Sequence, residues 1–265
     1  MVQNRRRSGS CRLVAGLVFV LLCGPAFLEA QLGPLSNPAR APQAKSQKEL
    51  DLYLKILTDA TPQSVLKDSD AFASQFPESE LLGIAYQYEM HAFKDMDNFE
   101  GMVTAGQKAL LANPDNLNTL LTLAPAMANR ASQVKNADKL LGQAEEYARL
   151  ILSAVEKVKP PLQTSLEKWE ATKRGMQSQA HEVLGVVAID HGQSAIAIDQ
   201  FKTAISLAPT PMGSQYFRLG LAFAAAGERD SAKEHLLHAA ELGPQPVRKL
   251  ALVEINKLME KKSSK

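Results

Sequence analysis

Residues 178–244 read SQAHEVLGVVAIDHGQSAIAIDQFKTAISLAPTPMGSQYFRLGLAFAAAGERDSAKEHLLHAAELGP, and the stretch contains one pattern twice. The first copy places Leu184-Gly185, Ala197, Phe201, Ala204 and Pro209; the second places Leu219-Gly220, Ala232, Leu236, Ala239 and Pro244. Each copy reads as two antiparallel helices. Gly185, Ala197 and Ala204 are small enough for the two helices to approach closely, and Leu184 and Phe201 supply the apolar area that holds them together. Gly192 and Gly227 mark the turns. Pro209 and Pro244 follow each second helix, because a residue without an N–H ends the helical ladder.

This pattern resembles the tetratricopeptide repeat (TPR), a 34-residue unit with Leu-Gly and Tyr in its first helix and Ala, Phe, Ala and Pro in its second. The departures are His181 where Trp is preferred, Ala188 where Tyr is preferred and Leu236 where Phe is preferred. The resemblance implies an all-α fold, a right-handed α-solenoid of stacked helical hairpins. About five TPR-like repeats are expected, with a C-terminal capping helix over 246–262. The clearest repeats are 178–211 and 213–246.

The chain begins with Arg5, Arg6, Arg7 and Arg12, an apolar run from Leu13 to Leu22, and small residues near Ala30. That order is the order of a secretory signal peptide, so residues 1–30 are expected to be cleaved, after Ala30 or alternatively after Ala26. An uncleaved anchor is the competing reading, although the apolar run is short for a span of about 20 residues. Leu22 before Cys23 argues against a lipoprotein, and Ser8-Gly9-Ser10 lacks the apolar residue that a twin-arginine signal needs. Both cysteines, Cys11 and Cys23, fall in this segment, so a cleaved chain forms no disulfide and is held by packing. Removing residues 1–30 takes away four Arg and one Glu, which turns the formal net charge from +2 to −1. The basicity is a targeting feature and does not point to nucleic acid.

With 265 residues, 45% hydrophobic and only 6% aromatic, the composition suits an Ala/Leu-rich helical domain. Residues 31–45 carry Pro34, Pro38 and Pro42 without an apolar period and read as a linker. The repeat domain is expected over 46–265. Thr61-Pro62 reads as an N-cap followed by proline at the first helical position. A divergent first repeat uses Leu50, Tyr53, Leu54 and Leu57, then Val65, Phe72 and Phe76. In the second, Tyr86, Phe93 and Ala109 fit, while Met102 and Gly106 replace the expected Ala and aromatic residue. Gly106, at this poorly matched position, is expected to tolerate Ala.

The third repeat is irregular, with Pro125 inside its first helix and a long second helix expected from near Lys135 to Lys157. Thr164-x-x-Glu167 has the form of a capping box and opens a helix expected to run through Trp169 into the fourth repeat.

Little points to chemistry. His181-Glu182 begins like a zinc-protease helix, but Gly185 stands where the second histidine is required. His235 and His238 lie three apart with no further ligand near, and no nucleophile elbow or phosphate loop occurs. Gly192-Gln193-Ser194 and Gly213-Ser214 read as repeat turns. No cofactor, no metal and no enzymatic activity are expected.

Function is therefore expected from shape, since stacked hairpins present a concave surface to a protein or peptide. Carrying the family's groove positions across implies Gln87, His91, Leu121, Glu182, Val186, Phe217, Arg218 and Leu221. Of the basic set that clamps a C-terminal carboxylate in the family's best-known groove, only Arg218 remains, opposed by Glu182. Val186, Phe217 and Leu221 are expected to form an apolar strip, either open to a partner or covered by the C-terminal helix. The chain reads as an exported, non-catalytic scaffold for an unspecified protein or peptide partner. The alternative is a scaffold that binds a cell-envelope glycan or lipid, with Trp169 and the third-repeat helices as its site.

Overall fold

The computed structural model describes residues 42–263 except residues 135 and 162. The expected signal segment, residues 31–41 of the expected linker and Lys135 lie outside the described residues. Among the described residues there are eleven α-helices, one short 3-10 helix (Ala131–Gln133) and no strand. In chain order they are α1 (Gln47–Thr58), α2 (Pro62–Gln75), α3 (Leu82–Asp95), α4 (Phe99–Ala112), α5 (Leu117–Arg130), α6 (Ala137–Val155), α7 (Leu166–Asp190), α8 (Ser194–Leu207), α9 (Gly213–Ala225), α10 (Arg229–Leu242) and α11 (Gln245–Ser263). Consecutive helices pair into five hairpins, α1/α2 to α9/α10, and α11 packs on α10 and α9.

Local chemistry explains where the helices start and turn. Ser46, Thr61, Asn98 and Asn116 each accept a hydrogen bond from the backbone N–H three residues on, at 2.9–3.2 Å, and so satisfy an otherwise orphaned donor. The turns of three hairpins are built alike. Asp97, Gly192 and Gly227 have φ of +52°, +70° and +82°. The following N–H of Asn98, Gln193 or Glu228 bonds the carbonyl five residues back, Phe93, Ala188 or Phe223, at 2.8–3.0 Å. This left-handed closure favours glycine, and Asp is among the few other residues that adopt it at low cost.

The interior follows the repeat residues. Phe201, Ala197, Ala204, Leu219, Leu236, Ala232 and Ala239 are all buried. A Cβ on Gly185 would stand 2.5 Å from Phe201 Cε1, and one on Gly220 would stand 2.7 Å from Leu236 Cγ, so these glycines are close-approach positions. Gly106 is one as well: its Cβ would meet Leu123 Cδ1 at 2.7 Å and Met90 Sδ at 2.9 Å. An Ala there therefore requires Leu123 of α5 or Met90 of α3 to shift.

Other expectations change for equally local reasons. Ser165, rather than Thr164, caps α7 by accepting from Lys168 N–H, and Gln163 takes up a φ of +66° just before it. Gly213 is the first residue of α9 and not a turn, since its Cβ would lie 2.4 Å from the Gly243 backbone. Residues 42–45 are tied to α1 and to the α2–α3 connection. Gln43 N–H donates to Glu80, Lys45 N–H to the buried Glu49, and Lys45 Nζ to the Glu78 carbonyl. On the terminal helix Leu250, Leu252, Val253 and Met259 are exposed beside the buried Ala251 and Ile255. Among the described residues, no helix is long and apolar enough to cross a membrane.

Candidate functional site

The first helices of the third, fourth and fifth hairpins meet at a cleft of about 460 Å³. Pro125 and Asn129 of α5, Gln179, Glu182 and Val183 of α7, and Gln215 and Arg218 of α9 line it. The α8–α9 connection closes one side with Ala208, Pro209, Thr210 and Met212. Helical spacing explains the wall: Gln179 and Glu182, like Gln215 and Arg218, are three apart, and Pro125 and Asn129 are four apart, so each pair shares one face.

The side chains form a connected polar lattice. Arg218 Nη1 pairs with Glu182 Oε1 at 2.7 Å, and Arg218 Nη2 donates to Asn129 Oδ1 at 3.0 Å. One guanidinium thereby joins α9 to both α7 and α5, which its planar fork of donors suits. Buried Gln215 donates from Nε2 to Ser178 Oγ (3.1 Å), and its Oε1 accepts the Met212 N–H (3.0 Å) at the head of α9. Ser178 Oγ in turn donates to the Ala204 carbonyl at 2.7 Å.

Gln179 answers a defect in α5. Pro125 has no N–H, so the carbonyl four residues back, on Leu121, loses its helical donor. Gln179 Nε2 supplies one at 3.0 Å from the next hairpin.

Of the groove residues implied by the resemblance, the structure places Glu182 and Arg218 together in the cleft. Leu121 does not line the cleft, and its backbone carbonyl accepts from Gln179 Nε2. Gln87 lies apart, its Oε1 accepting from Asn116 Nδ2 at 2.8 Å, and His91 is half-buried on α3. Val186 packs onto the cluster of Phe201, Leu219 and Phe223, while Phe217 packs with Leu236, Ala239, Ala251 and Ile255. Leu221 is half-buried on α9. Leu258 of α11 packs on both clusters, while Val186 and Phe217 themselves remain half-buried.

Sequence reasoning missed Asn129, Gln179 and Gln215. The i, i+3 spacing of each Gln to Glu182 or Arg218 is the signal that shows them. Asn129 sits in the irregular third repeat, where positions carried from the family pattern lead instead to Leu121.

A smaller hollow of about 320 Å³ adjoins the same asparagine, lined by Lys94, Asp97, Phe99, Asn129, Arg130 and neighbours. In it the Arg130 guanidinium stands 5.6 Å from the centre of the Phe99 ring, a cation–π distance. Among the described residues, no group of three or more His, Cys, Asp or Glu is placed to hold a metal ion. Trp169 is 2% exposed, so it packs the interior and offers no platform to a ligand.

No family model matches the chain, and no curated protein matches it. Solved structures do. The MamA RS-1 ArsTM double mutant is 15% identical, with a TM-score of 0.55 over 76% of this chain and 96% of its own. A second MamA protein is 23% identical over 68% of this chain and 82% of its own, with a TM-score of 0.49. TTC0263, a thermophilic TPR protein in Thermus thermophilus, is 14% identical over 80% and 98%, with a TM-score of 0.48. The stacked hairpins, their shared turn geometry and the first of these likenesses give this chain an all-helical, TPR-like solenoid fold.

Proposed function

We propose that this chain is an exported, non-catalytic scaffold that binds a protein or peptide segment against its concave surface. The observation that carries the reading is the cleft spanning three hairpins. Its amides at Asn129, Gln179 and Gln215 and its Glu182–Arg218 pair alternate with apolar Pro125, Val183, Pro209 and Met212. Such a wall suits an extended polypeptide, which offers backbone donors and acceptors at regular intervals and apolar side chains between them. Burial of Trp169 removes the stacking surface on which a glycan-binding reading depended. Export rests on residues 1–30, and the mature chain is expected to begin at Gln31.

The test is site-specific photo-crosslinking in cells that express the full chain. A crosslinker at Met212, which is 57% exposed and lines the cleft, should trap a polypeptide. One at Leu111, 84% exposed on α4, should not. Equal trapping at both sites, or none at Met212, overturns the proposal. Amino-terminal sequencing of the same material tests export, since an intact Met1 on detergent-extracted protein contradicts a cleaved signal.

A further inference from the structure

Two arginines near Asn129 use their donors differently. Arg218 spends Nη1 on Glu182 and Nη2 on Asn129, and no other charged residue lines the cleft, so the cleft is electrically neutral. Arg130, the residue after Asn129, stands half-buried in the smaller hollow. There the Phe99 ring takes one face of its guanidinium. Stacking uses that face alone, because the N–H donors of a guanidinium lie in its plane and stay available at its edge. Among the described residues none of these donors has a carboxylate partner.

Lys94 adds an exposed cation to the same hollow, so two cations face one acid, Asp97. Helix chemistry fixes both in place. Lys94 is in the last turn of α3 and Arg130 in the last turn of α5, where the negative end of a helix favours a cation without consuming its N–H donors. The hollow and the cleft also adjoin, since Asn129 lines both. A segment that leaves the cleft past Asn129 meets Arg130 next.

We infer that the polypeptide held in the cleft carries an Asp or Glu beside an uncharged stretch. The uncharged stretch lies against the Glu182–Arg218 pair, and the acidic side chain enters the hollow and accepts from the free edge of Arg130, with Lys94 beside it. This rests on the reading of the cleft as a polypeptide site. A carboxylate presents two oxygens in a plane, which matches a guanidinium edge that Phe99 already orients. A Lys or Arg in the segment meets two like charges instead. Inside the cleft a charged side chain has to break the Glu182–Arg218 pair and leave one partner unpaired.

Random peptides displayed on phage and selected on the full chain test this, with the selected sequences then synthesised with the carboxyl terminus either free or amidated. An Asp or Glu should recur at one fixed place next to an uncharged stretch, and binding should weaken with salt. Replacing that acid by its amide should weaken binding about tenfold or more, and Arg130→Gln should do the same. On Arg130→Gln the acidic and amide peptides should bind alike, a coupling that a general loss of structure does not produce. Lys94→Gln, at an exposed position that disturbs no core, should weaken the acidic peptide in the same direction. Peptides retained without an acid preference, or with a preference that survives both Arg130→Gln and Lys94→Gln, overturn this inference and leave the cleft reading standing. Binding that requires a free carboxyl terminus also overturns it, because the chain end is then the recognised group. Retention of no peptide at all overturns both.

Discussion

A Cβ is the smallest change a residue can make, and four glycines show how its effect depends on what stands beside it. At Gly185 the neighbour is the ring of Phe201, which is 1% exposed and has no flexible end to move aside. Gly185→Ala is therefore expected to cost about 1–3 kcal/mol, as overpacking does. Gly220→Ala meets the branch point of Leu236 and should cost a similar amount. Gly106→Ala meets the free ends of Leu123 and Met90, which can shift, so its cost should be the smallest of the three. Gly142 sits exposed within α6 with nothing within 4 Å, and Gly142→Ala should stabilise by about 0.5–1 kcal/mol. Chemical denaturation of the four variants checks the order.

His235 offers a second residue-scale prediction. Its ring lies 5.2 Å from that of Phe223 and 6.3 Å from that of Tyr216, stacked on each, with Nδ1 buried and unpartnered. Burial, with smaller contributions from His238 and Lys202 and against Glu234, holds the imidazole below its ordinary value of 6.5. A base whose folded pKa is depressed contributes fully above its unfolded value and loses that stability as pH falls through the folded one. Melting temperature should fall on acidification below 6.5, and His235→Gln should flatten the fall. An unchanged slope in the variant would place the acid sensitivity elsewhere.

At the scale of the element, α5 is a helix with a gap, and α7 fills it. Gln179→Ala removes the donor to the Leu121 carbonyl and should cost about 1–3 kcal/mol, the range for leaving a part-buried acceptor unpaired. Pro125→Ala returns an N–H to α5 and makes the same carbonyl self-sufficient. In the Pro125→Ala background, Gln179→Ala should then cost much less, a coupling readable in a double-mutant cycle. Additive costs would separate the two residues. Elements of this kind decide what a sequence shows. Leu-Gly pairs, Gly192, Gly227 and the closing prolines act within one hairpin, and their spacing alone reveals them. Gln179 acts between hairpins, on a fault created 54 positions earlier, and Gly106 answers to side chains of two other helices. Neither leaves a local period to read.

For the whole molecule, repetition made the architecture legible and irregularity hid the candidate site. The cleft takes Pro125 and Asn129 from the third hairpin, whose long α6 and broken α5 depart from the repeat, so positions carried across from regular repeats led to Leu121, whose side chain does not line the cleft. Arg218 adds a mechanical consequence. A stack of hairpins that touch only their neighbours behaves as a spring, because small rotations at each junction accumulate along its length. The bond from Arg218 to Asn129 joins the third hairpin to the fifth and skips the fourth, which makes it a tie-rod across two coils. It stiffens the stack at that place and leaves the amino-terminal coils free of that restraint. Arg218→Ala should therefore lengthen the distance between fluorophores on α3 and α11 and widen its distribution, with little change in helix content. Single-molecule energy transfer reads both quantities, and an unaltered distribution would mean that curvature here is set by the packed helices alone.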